Sequence, residues 1–209
     1  MGFIDCIMLY LASTSPRRRE LITQAGLEFT VLGIDIDETP FVNETPDAYV
    51  QRLAAAKAEA CRQELLSHSS PEANGETIHQ AIVLAADTTV VAQGQILGKP
   101  ASREEAYAMW ALLSGRTHEV LTGVAVVRGD TRLGTLVRTR VNFRELSPAD
   151  MDWYWNSGEP IGKAGGYAIQ GLGVRFIPSI EGSYSNVVGL PLFETLDLLE
   201  RLTGTAPHG

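Results

Sequence analysis

The sequence predicts a mixed α/β fold, one sheet of parallel and antiparallel strands with flanking helices. Three observations carry that expectation. Short apolar runs alternate with helical segments through the first half of the 209 residues. In the second half, two long β-rich runs meet at Gly129-Asp130, the mark of an antiparallel hairpin. A hydrophobic content of 44% against 20% charged residues supplies a core for a folded domain.

Taken in order, residues 7–11 read as a buried strand. Ser15 and Pro16 open a helix, as N-cap and first helical residue; it carries 17–25 and stops at Gly26. Residues 29–32 form a short strand entering an acidic loop at 35–38. Thr45-Pro46 opens an alanine-rich helix reaching about residue 66, and residues 67–80 are a polar surface loop. Residues 81–86 read as a buried strand ending at Asp87, followed by a hairpin of 89–92 and 95–97 around Gln93-Gly94. Ser102 with Glu105 forms a capping box for a helix ending at Gly115. Strands over 119–127 and 133–143 follow, then a helix from Ser147-Pro148 to about residue 156. The glycine-dense stretch 158–173 is loop or turn; 174–180 is strand-like, and 191–202 is a terminal helix.

Charge narrows the function. Seventeen basic residues against 25 acidic ones give a net charge of −8, which excludes a protein that wraps duplex nucleic acid. A local basic pocket for one small polyphosphate stays open. No run approaches the roughly 20 apolar residues of a membrane helix. The first residues lack the basic start of a signal peptide, and Cys6 stands where myristoylation needs Ser or Thr. Cys6 and Cys61 have no CxxC spacing and read as free thiols of a cytoplasmic protein. His68, His79, His118 and His208 are scattered, without the spacing of a structural zinc site.

Four constellations hold chemistry. Ser13-Thr14-Ser15-Pro16-Arg17-Arg18 sits where a strand meets a helix N-terminus, a place that binds anions through backbone N–H groups. It reads either as a phosphate site or as a capped helix with solvated arginines. Arg17, Arg18 and Arg19 oppose the helix dipole there, so something negative must compensate. Glu38 and Asp87, near strand ends, are a pair able to hold a hydrated divalent cation and deprotonate water, or else Glu38 is one of several solvated loop acids, while Asp87 directly follows the apolar run 82–86. Only Lys57, Lys99 and Lys163 are lysines, against fourteen arginines; they mark sites needing a compact ammonium, or fall there by chance. The glycines around Tyr167 and Gln170 permit close backbone approach to a ligand, or only tight turns.

Together these segments resemble the Maf family of nucleoside triphosphate pyrophosphatases. The match runs from Leu11-Ala12-Ser13-Thr14-Ser15-Pro16-Arg17-Arg18 through Ala86-Asp87-Thr88, Leu97-Gly98-Lys99-Pro100 and Leu113-Ser114-Gly115-Arg116-Thr117-His118. It continues through Lys163-Ala164-Gly165-Gly166-Tyr167-Ala168-Ile169-Gln170-Gly171 to Val188-Gly189-Leu190-Pro191, covering nearly the whole chain in order. The resemblance implies two lobes around a central cleft, similar to inosine triphosphate pyrophosphatases, in one domain over 1–203 with a short tail at 204–209. It implies hydrolysis between the α and β phosphates, giving a monophosphate and pyrophosphate, with Mg, Mn or Co as cofactor. By the same resemblance Asp87 is the general base, with Glu38 beside it on the metal. Ser13, Arg18, Lys57 and Lys99 then hold the triphosphate, and Arg17, Thr88 and Gln170 bear on substrate choice. The implied partner is a small nucleotide, with neither nucleic acid nor membrane, bound by a homodimer.

Within the family, Asp87-Thr88 and Ile169-Gln170-Gly171 resemble the branch acting on dTTP and UTP. The branch acting on 7-methyl-GTP has Glu in place of Gln170. Chemistry agrees, since one amide matches the N–H and carbonyl of a pyrimidine imide, whereas guanine's adjacent donors suit a carboxylate. A 7-methyl-GTP pyrophosphatase and a non-catalytic nucleotide-binding regulator of septation stand as alternatives. The chain departs from the family pattern at Gly162, where relatives have Asp, and at Gly166, where they have Ala. Relatives also begin nearer the first strand, which makes Met8 an alternative start.

Overall fold

The computed structural model describes residues 8–68 and 80–204. Residue 7 of the first strand, Cys6, His79, His208, nearly all of the loop expected over 67–80 and the tail beyond Gly204 lie outside the described residues. The strands are β1 (Leu9–Leu11), β2 (Thr30–Val31), β3 (Ile82–Ala92), β4 (Gln95–Leu97), β5 (Thr117–Arg128), β6 (Thr131–Asn142) and β7 (Ser179–Glu181). The helices are α1 (Pro16–Gln24), α2 (Pro46–Ser67), α3 (Arg103–Leu113), α4 (Pro148–Asn156), α5 (Tyr184–Val188) and α6 (Leu192–Thr203). They build the expected mixed sheet, in the order β2-β1-β3-β5-β6-β7 with β4 also on β3. β1 is parallel to β2 and β3, and the remaining pairings are antiparallel. No helix among the described residues is long and apolar enough to cross a membrane.

Local chemistry sets most boundaries. Thr45 accepts the Ala48 N–H to start α2, and Ser147 forms a full capping box with Asp150 at α4. The box expected at Ser102 is shifted: Ser102 accepts the Glu105 N–H, but the Glu105 carboxylate turns to the Ala101 N–H at 2.7 Å. Ser15 is the N-cap of α1 without a side-chain capping bond. Residues 174–180 do not form the expected strand. Residues 172–176 curl into a 3-10 turn, because the Glu159 carboxylate accepts the N–H groups of Leu172 and Gly173. Only Ser179–Glu181 then pairs, and the short helix α5, capped by Ser183, is an element the sequence did not announce.

Strand pleating sorts β3 between two layers. Ile82, Leu84, Ala86 and Val90 join the large core with Trp110, Tyr154 and Leu198, on the face covered by α1, α3, α4 and α6. Val83 and Ala85 face the other way, against Ala54, Ala58 and Cys61 of α2. Each such apolar side chain taken from water contributes about 1.5–3 kcal/mol for the larger ones. Asp87 has the parity of Val83 and Ala85 and therefore turns toward α2.

Gly123 on β5, paired with Asp87, lets α2 come this close. A Cβ there would run into the Val50 carbonyl, with the carbonyl carbon at 2.7 Å and the Gln51 nitrogen at 2.9 Å. Helix backbone cannot give way as a side-chain tip can. Gly123→Ala should therefore cost about 3 kcal/mol and lower the thermal midpoint by roughly 6–12 °C. An unchanged midpoint in calorimetry would show that α2 does not rest on the sheet at this point.

Candidate active site

β3 is one strand of eleven residues, so Asp87 lies mid-strand and not at the strand end expected. The run is unbroken because β5 pairs with it continuously from Ile82 to Val91. The opening lies on the other edge. On β3, β1 pairs with residues 82–84 and β4 with 90–92, so residues 85–89 have, among the described residues, a strand partner on one side alone. The chain leaving β1 anchors its Ala12 N–H on the Leu84 carbonyl and carries Ser13 to this gap.

Lys57, 9% exposed on the sheet side of α2, joins two carboxylates. Its Nζ donates to Asp87 Oδ1 at 2.6 Å and meets Glu38 Oε1 at 2.5 Å. Asp87 is itself only 7% exposed, whereas the Glu38 side chain keeps 43% of its surface in solvent. Burial pushes the Asp87 carboxyl above the usual range, and the Glu38 charge adds to this; Lys57 and Arg18 offset it only in part. Burial also raises Glu38, but the Lys57 hydrogen bond and the charges of Lys57, Lys99 and Arg18 outweigh it, and the group ends lowered. One carboxylate is thus made basic while its neighbour stays ionised, a division typical of acid–base sites.

The loop bearing Glu38 is gripped by α2. The Tyr49 hydroxyl donates to the Glu38 carbonyl at 3.0 Å. Arg52 forks onto Glu44 at 2.6 and 2.7 Å, reaches the Thr39 carbonyl, and lies 4.0 Å above the Phe41 ring. Sequence reading missed both residues; their i, i+3 spacing on one helix face was the only signal.

Arg18 closes the other side of the gap. Its Nε donates to the Gly189 carbonyl at 2.8 Å, Nη1 to Ser13 Oγ at 3.3 Å and Nη2 to Thr88 Oγ1 at 3.1 Å. Thr88 Oγ1 also lies 2.9 Å from Thr122 Oγ1, which donates to the Asn186 carbonyl. Asn186, wholly buried and unannounced by the sequence, donates to the Val120 carbonyl and Thr139. The first turn of α1 has no acidic residue, and the compensating negative charge comes from elsewhere. Burial lowers Arg18, opposed by Asp87 and Glu38; burial lowers Arg17, opposed first by Glu159.

Ser13, Arg18 and Thr88 form one hydrogen-bonded set and Lys57, Asp87 and Glu38 an ion-paired one; the two adjoin at Asp87-Thr88 and through the charge of Arg18, and Lys99 reaches Glu38 by its charge. Arg17 belongs to a second group with Glu159 and Lys163, beside the turn carrying exposed Gln170. Among the described residues the Lys163 ammonium touches only the Ile161 carbonyl, at 3.4 Å. The two loops meet where the Gly165 N–H donates to the Gly98 carbonyl beside Lys99. Gly162 (φ +73°) and Gly166 (φ +66°) occupy left-handed backbone that glycine adopts without strain. At Gly166 the carbonyl also accepts the Trp110 indole N–H at 3.1 Å, and a Cβ would crowd that ring.

Among the described residues, no group of three or more His, Cys, Asp and Glu side chains is placed to hold a metal ion. The Glu38 and Asp87 oxygens converging on Lys57 are nonetheless hard donors. They suit a small cation that completes its shell with water and phosphate oxygens.

The Maf-like protein family model matches residues 8–202. A protein of Acinetobacter baylyi named dTTP/UTP pyrophosphatase is 49% identical over 192 residues, covering 92% of this chain and 98% of its own. One of the same name from Myxococcus xanthus is 53% identical over 197 residues, covering 94% and 93%. Among solved structures, the Staphylococcus aureus Ham1 protein superimposes with a TM-score of 0.42 and 15% identity, covering 67% of this chain and 72% of that one. A HAM1 protein from Coxiella burnetii gives 0.41 and 18%, covering 66% and 73%.

His118 supports the loop that carries Tyr167 and makes stability depend on pH. It is 3% exposed, with Nε2 2.7 Å from the Tyr167 hydroxyl and no partner for Nδ1 among the described residues. Burial lowers its pKa from 6.5 to about 4. Between those values the unfolded chain binds more protons, so the contribution is fully present above pH 6.5 and is lost as pH falls toward 4. By pH 5 the loss from this group should reach about 2 kcal/mol. In urea unfolding, His118→Gln should flatten this acid limb; an equally steep limb in the variant would refute the assignment.

Proposed function

The chain belongs to the Maf family, and on that footing we propose that it hydrolyses dTTP and UTP to the nucleoside monophosphate and pyrophosphate. The observation that carries the reading is the buried Lys57 ammonium shared by Asp87 and Glu38, with Asp87 made the more basic of the two. Relatives near 50% identity bearing that activity in their names support the substrate.

In this mechanism Asp87 keeps Oδ1 on Lys57 and offers its other oxygen to a water. The water oxygen bonds to the α-phosphorus, the bond from that phosphorus to the bridging oxygen breaks, and pyrophosphate leaves with the electron pair. The water proton passes to Asp87. Negative charge gathers on the departing group, and Arg18, Lys57 and Lys99, with the Ser13 hydroxyl, meet it with positive charge and donors. Glu38 stays ionised and fixes the Lys57 ammonium from the solvent side. A divalent cation held by Glu38 and Asp87 would add charge neutralisation at the phosphates and make the water more acidic. Thr88 orients Arg18, and Gln170 reads the imide edge of the base.

A nucleotide panel scored for pyrophosphate release tests the whole reading, with dTTP and UTP expected to lead. Preference for 7-methyl-GTP would transfer the chain to the other branch, and binding without monophosphate would favour the non-catalytic role. Asp87→Asn, nearly isosteric, should cut turnover by about 10²- to 10⁴-fold with the thermal midpoint kept; pyrophosphate release at the native rate would remove Asp87 as base. Gln170→Glu should depress kcat/KM for dTTP by about tenfold relative to a guanine triphosphate. An unchanged ratio would discard the reading of the base by Gln170.

A further inference from the structure

We propose that Tyr154 and Glu159 act together as positioning residues for base selection, fixing the turn that presents Gln170. The proposal rests on the reading of Gln170 given above and adds residues to which neither the sequence nor any relative's name assigns a part.

Tyr154 is wholly buried, its ring packed between Trp110 at 5.3 Å and Phe176 at 5.1 Å. Its hydroxyl is therefore a fixed point. It accepts the Ala168 N–H at 3.0 Å and donates to Glu159 Oε1 at 2.7 Å. Glu159 then accepts the Leu172 N–H on Oε2 at 2.7 Å and the Gly173 N–H on Oε1 at 3.0 Å. Backbone donors on both sides of Gln170 thus end on a single Tyr–Glu pair. Gln170 lies between the anchors, exposed, with its amide in no hydrogen bond to the described residues.

The glycines flanking the turn follow from the same contact. A Cβ on Gly171 would overlap the Glu159 carboxylate, and one on Gly173 would lie 2.6 Å from the Tyr154 hydroxyl. Gly171 has φ −115°, open to other residues, so the close approach and not the backbone conformation demands glycine there. The sequence left open whether these glycines admit a ligand; in the structure they admit the chain's own carboxylate. Glu159 stays ionised, since the hydrogen bonds from Tyr154, Leu172 and Gly173 outweigh its burial, and its charge reaches Arg17. It therefore couples the Gln170 turn to Arg17 of α1 by charge. No hydrogen bond among the described residues joins Tyr154 or Glu159 to Lys57, Asp87 or Glu38. Loosening the pair should release the base and spare the chemistry.

The test uses full-length Tyr154→Phe, which keeps the ring and removes the hydroxyl, and Gly171→Ala, which pushes the turn off Glu159 from the opposite side. Pyrophosphate release is measured at saturating and limiting dTTP, UTP, dCTP and GTP. KM for dTTP and UTP should rise about tenfold with kcat held within about twofold, and the dTTP-over-GTP ratio of kcat/KM should fall about tenfold. Glu159→Gln, which retains one acceptor oxygen, should fall between these variants and the native chain. An equal fall in kcat on every nucleotide, or no change, would overturn the proposal; if Tyr154→Phe melts, Gly171→Ala alone decides. Failure of the underlying reading looks different: Gln170→Glu itself then leaves selectivity unmoved. The proposal fails separately if Gln170→Glu shifts selectivity and these variants do not.

Discussion

The position of one ammonium constrains everything around it. Lys57 and Asp87 are each under a tenth exposed, and either one alone at that depth would give up its charge or draw in water. Paired, each lessens the cost of burying the other, yet a buried ion pair adds little to stability over apolar residues of the same shape. The surrounding fold must therefore hold them there. Val50, Leu53, Ala54, Ala58 and Cys61 of α2 are all fully buried, and the small alanines beside Lys57 bring the helix axis near the sheet. Gly123 removes the side chain that would otherwise stand between helix and strand. Packing energy from an ordinary helix–sheet contact thus offsets the desolvation of the site.

From that geometry the unequal character of the two carboxylates follows. Both touch the same cation, but only Asp87 lies on a strand inside the sheet, where little water shares in solvating it. Glu38 approaches from a loop, keeps part of its surface wet, and feels three cations at once. Exposure, and not residue type, sets their proton affinities apart. Arg18 is fixed in turn by a carbonyl and two hydroxyls, so its plane is set before any ligand arrives.

Much of this was legible in the sequence. Thr45-Pro46 and Ser147-Pro148 announced their helices, and Gly129-Asp130 announced the β5–β6 hairpin, because caps and turns are local chemistry. What failed was settled at a distance. An acid after five apolar residues reads as a strand end; only the unbroken partner β5 makes it an interior residue. The β-like pattern at 174–180 lost to Glu159, some fifteen residues earlier, whose carboxylate curls the chain. Asn186 and Arg52 carry no motif, and their roles exist only once β5, β6 and the Glu38 loop have been brought to them. The candidate residues themselves were legible, but their division into one group around Lys57 and another around Glu159 was not.

The scarcity of lysine takes on a physical meaning at Lys57. Two carboxylates approach its nitrogen from different elements at 2.5 and 2.6 Å, one from a loop and one from a strand. A rotatable ammonium with three donors can serve both, whereas a planar guanidinium would present its fork to one and turn its edge to the other. At Arg18 the requirement is reversed. Three acceptors, Gly189, Ser13 and Thr88, each take a different nitrogen of one guanidinium, an arrangement a point charge on a flexible stem would not hold. Lys163 shows that scarcity alone does not define a site, since among the described residues its nitrogen finds only a carbonyl two residues away at 3.4 Å. The choice between the two cations is decided by the directions from which their partners arrive, and that is a property of the fold.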